Sequence, residues 1–141
     1  MQQKISPVLI GRILYLFDLA LFTLLILYIP TKAAHPPSGL FYSLLLMVSV
    51  VELAFMKYMD HIAMKAQTNR QEAGSAPKSR YMPIVLATIG SAPAIYGLLW
   101  HFLGGTRTQS LSFVFVSMIG YILFSLLAVK YDSLPGDNSG Q

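Results

Sequence analysis

Four apolar runs, each about as long as a bilayer is thick, constrain this chain more than any other feature. They cover residues 8–29, 39–59, 82–103 and 111–131. A helix rising ~1.5 Å per residue needs ~20 residues to cross ~30 Å of hydrocarbon. A backbone surrounded by lipid must satisfy its own N–H and C=O groups, so runs of this length fold as helices. Of 141 residues 55% are hydrophobic and 11% charged, the latter roughly half the share usual in a soluble domain. The expected fold is an all-α membrane protein with four transmembrane helices. The short connections at 30–38 and 104–109 pair the spans as two antiparallel hairpins. Residues 1–134 then form one transmembrane domain, with a cytoplasmic basic loop at 60–80 and a flexible tail at 135–141.

The first run reads as a retained span rather than a cleaved leader. It carries Asp18 and ends in Tyr-Ile-Pro-Thr-Lys instead of a small-residue cleavage site. The charges orient the whole. Lys4, Arg12, Lys57, Lys65, Arg70, Lys78, Arg80 and Lys130 fall on one side, and only Lys32 and Arg107 on the other. By the positive-inside rule both termini are cytoplasmic, and the expected location is the bacterial inner membrane. Tyr28, Phe41, Tyr42 and Trp100 mark the outer interface, and Tyr58, Tyr81 and Tyr131 the inner one. The net charge of +4 is therefore a matter of topology and anionic headgroups, not of nucleic acid. With no cysteine there is no disulfide, thiolate ligand or thiol nucleophile.

Local signals place the helix ends. Ser6-Pro7 offers an N-cap and an N1 proline, Ser38 precedes the second span, Pro83 lies in the first turn of the third, and Ser110 is placed to cap the fourth. Good helix formers, with Lys57, His61 and Lys65 spaced by four, carry the second span on to about Gln71 as a basic helix. Residues 72–79 read as a linker.

Two acids lie inside spans, Asp18 and Glu52. Such residues are costly in hydrocarbon and face a partner or a cavity. Measured from Arg12 and Lys57 as inner-interface markers, Asp18 sits ~9 Å deep and Glu52 ~7.5 Å. Both belong to the first hairpin, where they can meet. Tyr15 lies one turn from Asp18 and Ser49 one turn from Glu52, as local hydrogen-bond partners. Two readings stand: a protonatable pair reached from the cytoplasm, or acids that pair with Arg12 or Lys57, or stay protonated and hydrogen-bonded, and so lock helices together.

The third span has a small-residue face, Ala87, Gly90, Ser91, Pro93, Ala94 and Gly97. Such a face lets another helix approach closely. Pro93 cannot donate a hydrogen bond and crowds the carbonyl of Ile89, which predicts a kink. The stretch Ser91-Ala92-Pro93-Ala94-Ile95-Tyr96-Gly97-Leu98 resembles the ion-carrying helix of rotary ATP synthase proteolipid (c) subunits, whose pattern reads approximately Glu-Ala-Pro-Ala-Ile-Tyr-Gly-Leu. Ser91 stands at the position of that family's carboxylate, so the resemblance implies the scaffold of a proton-carrying helix without its acid. It is confined to the third span; nothing in residues 8–59 echoes the motif. A looser likeness is to four-span bacterial membrane proteins with a similar proline motif.

No metalloprotease, nucleophile-elbow, P-loop or dinucleotide pattern occurs, so the chain is not expected to be an enzyme. No cofactor or metal is expected either. His101, beside Trp100, is the weak candidate for a cofactor ligand, and His35 lies in a loop. The leading expectation is an accessory or scaffolding subunit of a larger inner-membrane complex, or a homo-oligomer, docking through the small face of the third span. The alternatives are an ion-translocating subunit using Glu52, assisted by Asp18, Ser91 and Tyr96, and a quinone- or lipid-binding subunit of a respiratory or photosynthetic complex.

Overall fold

The computed structural model describes residues 6–30, 38–72 and 81–132, all helical apart from short caps and turns. There are four helices among them: α1 (Pro7–Tyr28), α2 (Gly39–Glu72), α3 (Met82–Phe102) and α4 (Arg107–Asp132). Each contains a stretch long and apolar enough to cross a membrane, the character of a multi-pass membrane protein. The linker expected at 72–79 and the tail at 135–141 fall almost wholly outside the described residues, as does His35.

The caps follow from the local sequence. The Ser6 hydroxyl accepts from the Val8 amide, and Pro7 opens the first turn of α1, where its missing N–H costs nothing. α2 runs on to Glu72, as its helix-forming polar stretch predicts. α4 starts at Arg107, before the expected cap at Ser110. Thr106 and Gln109 form a reciprocal capping box there. The Thr106 amide donates to Gln109 Oε1 at 3.2 Å, and the Gln109 amide donates to Thr106 Oγ1 at 3.2 Å. The α3–α4 turn needs both of its glycines. Gly104 has φ 92, and a side chain on Gly105 would collide with the Trp100 indole. α3 continues without a break through Pro93.

The helices do not pack as two closed hairpins. α3 and α4 make the most extensive contact, and α1 and α2 each pack on both of them. α1 and α2 scarcely touch. The central pair is accordingly more enclosed, with 44% and 39% of the membrane-crossing windows of α3 and α4 buried, against 17% and 11% for α1 and α2. Outward faces of α1 and α2 are exposed Leu, Ile, Val and Phe, which suits lipid as solvent.

Contacts set which ends lie together. Val8 of α1, Met56 of α2, Leu86 and Ala87 of α3, and Phe124, Leu127, Ala128 and Tyr131 of α4 share one core cluster. At the other end Tyr42 of α2 packs against Trp100 of α3 and Phe113 of α4, and its hydroxyl bonds to Ser112 at 2.8 Å.

Candidate site: a polar layer at mid-bundle

A belt of polar groups crosses the middle of this apolar bundle, and α3 is its hub. Tyr15 of α1 is fully buried, its ring packed against Phe124 and Tyr121 of α4 with centroids 5.8 and 5.3 Å away. Its hydroxyl has the Gly90 carbonyl as an acceptor and lies 2.8 Å from the Ser117 carbonyl. The Ser117 hydroxyl donates to the same Gly90 oxygen at 3.1 Å. Three helices are thus tied at one carbonyl, next to the Ile89 carbonyl that Pro93 deprives of its usual helical donor. The glycines make room. A Cβ on Gly90 would lie 2.6 Å from the Tyr15 ring, and one on Gly120 would lie 2.5 Å from the Tyr15 hydroxyl.

The two intramembrane acids complete the belt, each by meeting a hydroxyl of α3. Ser91 donates to Asp18 Oδ2 at 3.2 Å, sharing its proton with the Thr88 carbonyl one turn back. Tyr96 donates to Glu52 Oε1. The other oxygen of Glu52 is buried with no hydrogen-bond partner among the described residues. Ser91 and Tyr96 are five residues apart, ~140° around α3 at 3.6 residues per turn. Asp18 and Glu52 therefore approach α3 from different flanks and not each other.

The acids and Ser91 share one level of the bundle. Asp18 is at the middle of α1, Glu52 at the middle of the membrane-crossing part of α2 (Gly39–Ala66), and Ser91 at the middle of α3. Half of α1 is ~16 Å long. Both acids thus lie near the middle of their helices.

All four expected proton- or ion-handling residues, Asp18, Glu52, Ser91 and Tyr96, are brought together as two pairs. The expected local partners are not used. Tyr15 turns to α3 and α4, and Ser49 donates to its own Leu45 carbonyl at 2.9 Å. Neither acid forms an ion pair with Arg12 or Lys57 among the described residues, where the one salt bridge is Lys130–Asp60 at 3.2 Å.

The small-residue face requires a correction. Ala87, Gly90, Ser91, Pro93, Ala94 and Gly97 are all buried within the single chain, so they are not free to dock a partner. The close neighbours are the chain's own helices, α1 at Gly90 and α4 at Gly97, where a Cβ would lie 2.6 Å from the Ser110 carbonyl oxygen. His101, the weak cofactor candidate, lies at the α1–α3 contact. Its ring is fully buried and Nε2 lies 2.7 Å from the Ile29 carbonyl, an arrangement that ties α1 to α3 and leaves no open coordination position at that nitrogen. Its Nδ1 is buried without a partner among the described residues. No group of three His, Cys, Asp or Glu side chains among the described residues could hold a metal ion.

Sequence reasoning missed Asp60, which it assigned to the polar loop. Asp60 is buried, at 3% exposure, and accepts from Lys130 at 3.2 Å and from the Tyr131 hydroxyl at 2.9 Å. Its position one turn after Met56, on the face that also carries Ser49, was the available signal. Comparison with protein-family models, with curated proteins and with solved structures finds no match to this chain.

Proposed function

We propose that this is a proton-handling protein of the bacterial inner membrane, with both termini in the cytoplasm and Asp18 and Glu52 as its working groups. One observation carries the reading: midway along the candidate spans, two acids from two different helices each meet a hydroxyl on the same third helix. An ionisable side chain at that depth costs at least ~2.5 kcal/mol on insertion scales, so its presence there asks for a function. A leucine would fill either position without that cost. A carboxyl group donates or accepts according to its protonation, and the neighbouring hydroxyl does both, so each pair can take up, hold and release a proton. The resemblance of α3 to the proteolipid helix adds a second support. Ser91 stands where that family carries its carboxylate, and Asp18 brings a carboxylate to Ser91 from α1. Proton handling thus replaces docking through the small face, which α1 and α4 already fill.

A hydrophobic carbodiimide, which adds covalently to protonated carboxyls in apolar surroundings, tests the reading. Asp18, Glu52 or both should be modified in the folded protein, more slowly as the pH is raised, with Asp18→Asn and Glu52→Gln each losing its own adduct. In vesicles loaded with a pH dye, the same variants should slow proton entry. Unmodified acids from mildly acidic to mildly basic pH, with variants that behave as wild type, would sink the proposal. The orientation has its own check: cysteines introduced by Lys4→Cys and Ser139→Cys should react with a membrane-impermeant maleimide only in inside-out vesicles.

A further inference from the structure

We propose that the outward face of α2 below its midpoint is a seat for one anionic phospholipid. The phosphate is held by Lys57, His61 and Lys65, and an acyl chain lies along Phe55, Tyr58 and Ile62. All three basic residues are exposed, and their spacing of four draws them into one steep stripe ~12 Å long. Taking Glu52 as the middle of the span, Lys57 lies ~7.5 Å from the membrane centre and Lys65 ~20 Å. The hydrocarbon half-thickness is ~15 Å, so the stripe begins inside the apolar region and ends among the headgroups.

That placement is what selects the occupant. Lys57 makes no ion pair among the described residues. The two acids nearest to it on α2 are both committed: Glu52 to Tyr96, and Asp60, on the buried face, to Lys130 and Tyr131. An ammonium group starting at Lys57 extends along its apolar stem toward the nearest anion. A soluble anion or an acidic protein loop meets Lys65 but does not descend to Lys57, whereas a lipid phosphate sits at the boundary between them. The apolar flank is also present, since Phe55, Tyr58 and Ile62 are 47%, 58% and 42% exposed beside the basic stripe. Basic clusters just beyond a span attract anionic lipid through this combination of charge and apolar contact.

The experiment reconstitutes the full chain in phosphatidylcholine vesicles and measures, by spin-label resonance, how strongly labelled phosphatidylglycerol associates relative to labelled phosphatidylcholine. The wild type should prefer phosphatidylglycerol, each lysine contributing roughly fivefold. Lys57→Gln with Lys65→Gln should bring the ratio near unity, and excess glycerol phosphate should leave the wild-type ratio unchanged. Arg107→Gln, at the opposite end of the bundle, should also leave it unchanged. No preference in the wild type, an undiminished preference in the double variant, an equal loss in Arg107→Gln, or displacement by glycerol phosphate would each overturn the proposal. Because the stripe does not include Asp18 or Glu52, this result stands or falls apart from the carbodiimide result.

Discussion

Glu52 and Tyr96 depend on each other in a way that two single substitutions and their combination can expose. Among the described residues, Tyr96→Phe removes the one hydrogen-bond donor to a carboxyl whose second oxygen already lacks a partner. Leaving a buried polar group unsatisfied costs about 1–3 kcal/mol. Glu52→Leu strands the Tyr96 hydroxyl in the same manner, and Tyr96→Phe with Glu52→Leu removes both halves. In detergent, thermal or SDS-induced unfolding should show the double variant no less stable than the worse single one; strictly additive losses would mean the pair is not an energetic unit. Glu52→Gln, which keeps an oxygen facing Tyr96, should unfold close to the wild type while losing its carbodiimide chemistry. The identity of these residues was legible from the chain, since acids within spans and the Ile-Tyr-Gly of the third span both stand out. Their pairing was not. Tyr15 and Ser49 lie one turn from the acids, yet Tyr15 serves two backbone carbonyls on other helices. Only the packing decides which acceptor a side chain meets.

At the scale of single helices, the glycines of α3 separate close approach from mere propensity. Gly97 faces the Ser110 carbonyl, a backbone atom that cannot swing aside, so Gly97→Ala should destabilise the α3–α4 contact by about 1–3 kcal/mol. Gly39, at the start of α2, has nothing within 4 Å of where its Cβ would be, so Gly39→Ala should leave unfolding nearly unchanged. A chain indifferent to Gly97→Ala would mean that the two helices are farther apart than described. The start of α4 provides a second case. Thr106→Val removes the hydroxyl that accepts from the Gln109 amide, and loss of an N-cap costs about 1 kcal/mol, measurable in the same unfolding assay. The Thr-x-x-Gln pattern was readable in advance. Attention to where the apolar run begins hid it, because a helix can start before its hydrophobic stretch does.

For the molecule as a whole, hydropathy settled the number of helices among the described residues but not their neighbours. In lipid the surface facing a helix and the surface facing acyl chains are equally apolar, so composition does not mark which side is packed. Small residues do mark it, and the face centred on Gly90 and Gly97 is indeed buried, although its partners are α1 and α4 of the same chain. The long α2 is held near its far end by Asp60. Asp60→Ala removes the acceptor of both Lys130 and Tyr131, and should raise hydrogen exchange at residues 60–72 while leaving the middle of α3 protected. Unchanged exchange there would show that the apolar contacts of Met56 and Met64 alone hold the segment.

The near absence of contact between α1 and α2 has a consequence for how such a chain comes to be assembled. During synthesis the first two helices enter the bilayer before either of their docking surfaces exists, since both surfaces belong to the half of the chain made later. Until α3 and α4 arrive, the nascent protein is a pair of tethered rods drifting side by side, with two acids awaiting partners in oil. A version ending at Glu72 should show no energy transfer between dyes on its two rods beyond what the tether imposes, and should be an easy target for membrane proteases.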